Sequence, residues 1–394
     1  MPGAQQIGLL NKTGKALAAA GLICFAALAI LSGTDRQSRE FPTSPNVVGW
    51  PYDSGAARAK AILAFVNTGP GSAIPLARRA ILSDPVSAPA VSILGRSQLY
   101  AGQFPEARKT FEVAGQLGWR DGMTQIYWLD QALRVADYKT AAERLDALLR
   151  QAPQDESGAR FLAVMSATPE GRDALAKRLK LGPNWANAYL VDLKDVPQDQ
   201  LLQRVDVVRR TGRSIWDCRT SAIIVQNLIK ANLLDEAQTI WRLNCAVSAS
   251  LVYDGSFDQL DTTKPTTGFD WILSERGDAG ISLTQDETGH RMLNLQVNAT
   301  VALPVVRQLV VLKPGTYRLR WRSPGTAANA TRAMRVALSC TPRYADALAS
   351  SESREPGVFV NEFVVDAQCS ARQLIFWLAP QTPVNLDDVA LERL

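Results

Sequence analysis

The spacing of apolar residues changes once along this 394-residue chain. From about residue 54 to 249 they recur every three to four positions, the period of one helix face. From about Ser250 they recur every second position, the period of a half-buried strand. One layer cannot accommodate both periods, so the chain reads as helices first and a β-domain after, an α then β order. A single core rarely serves a chain of this length, which agrees with more than one domain. In the second part MLNLQVN, RQLVVL, TYRLRWR, RVALSC, EFVVDA and RQLIFWL are short alternating runs bounded by Pro, Gly or Asp. They predict roughly nine or ten strands, enough for a β-sandwich over 250–394. Pro314-Gly315 marks a tight turn between two of them.

Residues 16–31 read ALAAAGLICFAALAIL without a charge, and Ser32 and Gly33 extend the run to 33. That is the short end of what crosses a bilayer as a helix. Lys12 and Lys15 precede it, and the following DRQSRE is balanced in charge. The positive-inside rule then puts residues 1–15 in the cytoplasm as a tail and everything past about 34 outside, as in a single-pass protein of the inner membrane. A cleaved signal peptide is the rival reading, because Ala27-Leu28-Ala29 resembles an A-x-A site. The apolar run continues past it, which favours an uncleaved anchor at 16–33. Cys24 follows Ile23, where a lipoprotein signal requires a small residue. Residues 34–53, with Pro, Gly, Ser and Thr, read as a linker.

The composition, 46% hydrophobic and 21% charged, is globular. The first 249 residues hold 29 Lys and Arg against 22 Asp and Glu, the rest 14 against 16. Neither part has the dense basic tract of a nucleic-acid reader, so no nucleic-acid partner is expected. The single histidine, His290, removes most zinc chemistry. Of five cysteines, four lie beyond the apolar run, where export would place them in an oxidising compartment. Cys218 and Cys245 sit almost symmetrically about a turn near Asn232, which in an antiparallel hairpin brings them together. Two buried free thiols are the alternative if the region is cytoplasmic. Cys340 and Cys369 fall at strand ends, where a disulfide would close a Ser-, Ala- and Glu-rich loop at 345–356.

Within 54–249 the helices show a repeat. In residues 88–121, Leu94-Gly95 suits a close helix crossing, Gly102 and Phe104 form a turn, and Ala107, Phe111 and Ala114 line the second helix. The next 34 residues repeat this with Tyr138 and Ala141, ending at Pro153. Residues 54–87 hold Ala73, Ala80 and Pro85 at the same offsets. This pattern resembles the tetratricopeptide repeat, which implies an α-solenoid whose concave face takes a partner protein. After Pro153 the pattern decays into shortened hairpins, until a last clear one over SIWDCRTSAIIVQNLIKAN and LLDEAQTIWRLNCAV, with Ala237 and Trp241 at the repeat positions. An array that only spaces the β-domain from the membrane is the alternative.

A second resemblance covers most of 250–394. LVYDGSFDQL with GFDWILS, VVLKPGTYRLRWR, and LDDVALERL are similar to the opening, middle and closing strands of jelly-roll carbohydrate-binding modules. The resemblance implies a jelly-roll fold, glycan contact and a structural calcium, for which the matching donors are Asp258 and Asp387. No other cofactor is expected.

Alternation in TYRLRWR puts Tyr317, Leu319 and Trp321 on one face and Arg318, Arg320 and Arg322 on the other. The arginines form a basic stripe that Arg335 extends from the next long strand. Arginine pairs bidentately with carboxylates, so an acidic polysaccharide suits such a surface; an ordinary solvated face is the alternative. Trp271 and Trp377 are candidate sugar-stacking platforms, although their apolar strands point to core packing. The sequence has no nucleophile elbow, Walker loop or dinucleotide fingerprint. Asp387 and Asp388 are adjacent in a strand and point to opposite faces, so they cannot act together on one bond. No catalytic residue is assigned. The sequence is read as that of a non-catalytic accessory protein of the bacterial cell envelope, anchored in the membrane, and the resemblance to carbohydrate-binding modules implies a role in polysaccharide assembly or export. A pure protein–protein scaffold is the first alternative and a glycan-active enzyme the second.

Overall fold

The computed structural model of the chain describes residues 3–42, 48–153, 156–191, 196–212, 216–245, 250–263, 266–286, 289–340, 346–369 and 371–394. The side chains of 3–13, 190 and 191 are outside that description, so Lys12 is too, as is the start of the loop expected at 345. The chain divides into two compact units, Met1–Met165 and Ser166–Leu394.

The first unit opens with α1 (Gly3–Glu40), followed by α2 (Ser54–Asn67), α3 (Pro70–Ser83), α4 (Ala88–Tyr100), α5 (Phe104–Gln116), α6 (Gly122–Arg134) and α7 (Tyr138–Gln151). Next comes α8 (Glu156–Ala167), in which the division falls. Consecutive helices pack as pairs, α2 with α3, α4 with α5 and α6 with α7. Small residues set the crossings. A Cβ on Gly95 would stand 3.0 Å from the Phe111 ring, so any larger residue in α4 pushes α5 away. Ala107, Phe111 and Ala114 are buried along α5, as the repeat spacing predicts. Asp121 and Asp137 cap α6 and α7 by accepting from the amides of Thr124 and Thr140. Each such cap contributes about 1 kcal/mol.

α1 differs from expectation at its end. It is long and apolar enough over Gly14–Glu40 to cross a membrane, but it does not stop at Gly33. Its last seven residues continue as helix into the stretch expected as linker. The Ser38 hydroxyl donates to the Thr34 carbonyl at 3.0 Å, and Arg39 lies 3.2 Å from Asp35 one turn earlier. Asp35 is buried, and its Oδ1 accepts from the Ala56 amide at the start of α2, 3.1 Å away. Polar side chains that satisfy one another locally let the helix outlast its apolar stretch.

The second unit begins with α9 (Pro169–Leu179), α10 (Ala186–Val191), α11 (Gln198–Thr211), α12 (Cys218–Lys230) and α13 (Leu234–Asn244). Cys218 and Cys245 form a disulfide across the α12–α13 hairpin, with Asn232 at its turn in a left-handed conformation. The strands follow: β1 (Ile272–Leu273), β2 (Ala279–Gln285), β3 (Arg291–Val297), β4 (Leu303–Val311) and β5 (Gly315–Arg322), then the short α14 (Ala327–Ala333). After it come β6 (Met334–Ser339), β7 (Leu348–Ala349), β8 (Ser351–Glu352), β9 (Val358–Val365), β10 (Ala371–Leu378) and β11 (Val384–Arg393). They build two antiparallel sheets, β1-β4-β10-β6-β7 and β2-β3-β11-β5-β9-β8. The Pro314-Gly315 turn therefore carries the chain from one sheet to the other.

One apolar core lies between the sheets. Leu293, Leu319, Trp321, Phe359 and Leu386 enter it from the six-stranded sheet, and Val336, Leu374, Phe376 and Leu378 from the five-stranded one. The Trp321 ring stacks on Phe359 at 4.6 Å and meets Phe376 edge-on at 5.9 Å, joining the two layers. The entry loop is locked by Gln308, whose side chain holds both the amide and the carbonyl of Tyr253, at 3.0 and 2.7 Å. Gly255 packs so closely that a Cβ there would lie 1.9 Å from the Val389 carbonyl. Cys340 and Cys369 form the second disulfide, at the ends of strands as expected.

Candidate functional site

The outer face of the five-stranded sheet carries the most informative surface. Pairing in β10 sets Trp377 beside Pro304 of β4 and Arg335 of β6. The next row on that face sets Ile375 beside Arg307 and Ala337, with Ile272 of β1 beyond Arg307. Side chains opposite each other in adjacent strands share a face, so Trp377, Arg335, Arg307 and Ile375 stand together. The alternate residues Leu374, Phe376 and Leu378 fill the core. Trp377 is partly exposed while Arg307, Arg335 and Glu275 are exposed. Between β1, β4 and β10 lies an open groove of about 550 Å³, with Trp377 and Ile375 on one wall and Glu275 and Arg307 among its charged groups. Among the described residues neither Arg307 nor Arg335 makes an ion pair.

The structure corrects the expected stripe in two ways. Arg318, Arg320 and Arg322 do share a face of β5, opposite Tyr317, Leu319 and Trp321 in the core. Each, however, has a carboxylate partner: Arg318 and Glu362 at 2.8 Å, Arg320 and Glu355 at 3.3 Å, Arg322 and Asp388 at 3.3 Å. The face is charge-balanced and not a free basic track. Arg335 does not extend it, because β6 belongs to the other sheet; its neighbour there is Trp377. The two tryptophans also part. Trp271 is core, its indole N–H donating to the Asp254 carbonyl at 2.9 Å, whereas Trp377 faces outward.

The acidic residues form a separate corner. Asp258 is exposed in the loop before β1 and accepts from the Ser256 hydroxyl at 2.8 Å. Asp387 is buried in β11 and accepts from the Asp388 amide at 2.7 Å. Burial pushes its carboxyl up to about 6, helped by the Asp388 charge and opposed by that amide and by Arg322. Burial likewise pushes Asp254 up to about 6. Asp254, Asp258 and Asp388 border one open cleft, and Asp387 is not among its lining residues. Among the described residues no three His, Cys, Asp or Glu side chains are placed to share a cation. The two aspartates expected as calcium donors, Asp258 and Asp387, therefore do not line one cleft together.

The first unit has a groove of its own, about 560 Å³, lined by α4, α6 and α8 with part of α5. Tyr100 and Phe104 on its rim are 65% and 64% exposed, an unusual cost for aromatic rings. Its floor holds Phe111, stacked on Tyr127 at 4.0 Å. Arg96, Arg134 and Arg160 face a single carboxylate there, Asp130, already 2.7 Å from Arg134.

No protein-family model and no curated protein matches the chain. Among solved structures it is similar to the enzymatically active domain of tailspike protein 4 of bacteriophage CBA120. The identity is 15% and the TM-score 0.29, over 39% of this chain and 23% of that one, less than a quarter of its length. It is also similar to the module TmCBM61, solved with β-1,4-galactotriose (14% identity, TM-score 0.24, 37% of this chain and 100% of that one). A third is the xylan-binding CBM22-1 domain of Xyn10C from Paenibacillus barcinonensis (14%, TM-score 0.25, 33% and 88%). TM-scores this low carry no weight for fold or function.

Proposed function

We propose that this chain is a non-catalytic, membrane-anchored accessory protein of a bacterial cell envelope whose C-terminal sandwich holds an acidic glycan. The observation that carries this reading is the Trp377 groove. An indole presented on a rigid strand stacks on the apolar face of a sugar ring, and two arginines without carboxylate partners flank it to bind sugar carboxylates. The sandwich is taken to be a jelly roll, and α1 to be the anchor that leaves both units outside the cytoplasm, where the two disulfides persist. The setting is polysaccharide assembly or export.

The groove of the first unit supports a second role. Its helical pairs are read as a tetratricopeptide-type array, and its exposed Tyr100 and Phe104 with surplus arginines suit a segment of a partner protein bearing acidic and apolar side chains. A scaffold without glycan contact is the rival that this observation favours. The two are separated by applying the full chain in lipid nanodiscs to a panel of acidic and neutral oligosaccharides. The proposal expects retention of uronate-bearing chains and no new reducing ends after incubation. Retention of none leaves the scaffold, and released reducing ends would make the chain an enzyme.

A further inference from the structure

The entry into α2 bears a surface that neither groove uses. The apolar run of α1 ends at Leu31, and Asp35 lies four residues on, about 6 Å along the helix axis. The polar headgroup layer on each side of a bilayer is of that size, about 5–7 Å. Asp35 Oδ1 holds the Ala56 amide at 3.1 Å, and Arg58 donates to the Arg39 carbonyl at 3.0 Å. If α1 spans the bilayer, the start of α2 is therefore pinned at headgroup depth by the helix itself.

The residues leading into that point are large, aromatic and uncovered. Trp50 is 90% exposed and Tyr52 38%. Asp53, next in the chain, is tied to α3 by Arg79 at 2.8 Å and by a hydrogen bond from the Ser83 hydroxyl. The aromatic side chains thus hang on an anchored segment. An exposed indole is poorly placed in water and well placed among headgroups, where Trp and Tyr concentrate because one end of the ring is apolar and the other polar.

We propose that Trp50 and Tyr52 form a lipid-facing anchor that seats the first helical pair on the headgroup layer. The partner is the lipid surface, because Asp35, which holds the start of α2 just past these residues, belongs to the helix that continues directly from the apolar span. The proposal rests on α1 being a membrane anchor, and it adds that the first unit lies against the bilayer instead of swinging on a tether.

The test uses the full chain reconstituted into vesicles of phosphatidylethanolamine and phosphatidylglycerol carrying a shallow nitroxide-labelled lipid. Nine tryptophans are present, and Trp50 is the one nearest the apolar run in sequence. The lipid quencher is expected to remove part of the emission. That part should vanish in Trp50→Phe and persist in Trp119→Phe, a control at another exposed tryptophan. Quenching unchanged by Trp50→Phe, or a Trp50 signal quenched only by aqueous iodide, overturns the proposal. Flotation of the vesicles separates the two levels. A chain that does not float contradicts the anchor reading itself, whereas one that floats with Trp50 open to iodide contradicts the lipid contact alone.

Discussion

Asp387 sits in β11 at 7% exposure, with its carboxyl raised by burial to about 6. An unfolded aspartate titrates near about 3.9, so folding favours the protonated acid. The stability this gives is complete below about pH 4 and lost as pH rises through about 6, and it amounts to roughly 3 kcal/mol before solvent screening reduces it. Thermal unfolding of Asp387→Asn, followed by circular dichroism, is expected to lose less stability than the native chain between about pH 4 and 7. Identical slopes would contradict the buried-acid account. A second residue prediction concerns Gly255. Its Cβ position is occupied by backbone, the Val389 carbonyl, which cannot rotate away as a side chain can. Gly255→Ala is therefore expected to cost at least about 2 kcal/mol, read as a fall in denaturant midpoint at unchanged slope. Neither effect is legible in the sequence, where Asp387 is one of two adjacent acids and Gly255 an ordinary turn glycine. Both arise from contacts between segments far apart in the chain.

At the scale of elements the sequence is more informative. Strand alternation places Tyr317, Leu319 and Trp321 in the core, and the small residues of 88–121 predict the buried face of α5. Periodicity identifies a face but says nothing of what stands across from it. The carboxylates that balance Arg318, Arg320 and Arg322 come from β9, β11 and the turn before β9, and the sheet that takes Arg335 away from them is set by strand order. Trp377 is ambiguous for another reason. Both faces of RQLIFWL are apolar, so alternation alone does not say whether Leu374, Phe376 and Leu378 or Ile375 and Trp377 face inward. The end of α1 is hidden because Thr34, Ser38 and Arg39 read as linker chemistry until Asp35 is seen to hold the start of α2. Asp35→Ala is expected to expose the Ala56 amide to hydrogen exchange, with protection elsewhere in the first unit kept. Unchanged exchange there would remove that tie from the account. The Cys218–Cys245 disulfide closes a loop of 27 residues in sequence separation and contributes about 3 kcal/mol. Replacing both cysteines together, C218S with C245S, should lower the melting temperature of the second unit by several degrees, measured by calorimetry.

For the whole molecule, an apolar helix, a run of shorter helices and two antiparallel sheets follow one another in the order that the change of period foretells. Function is borne by outward faces, where sequence patterns are weakest because solvent tolerates many residues. The central claim is that the sandwich holds an acidic glycan through Trp377, with Arg307 and Arg335 beside it. Isothermal titration of the full chain in nanodiscs with a uronate-bearing oligosaccharide tests it most directly. Trp377→Ala is expected to weaken binding at least about tenfold, roughly 1.4 kcal/mol, and the Arg307→Ala and Arg335→Ala pair to flatten the salt dependence. Undiminished affinity in Trp377→Ala, with that tryptophan's removal leaving the fold intact by circular dichroism, would contradict the claim.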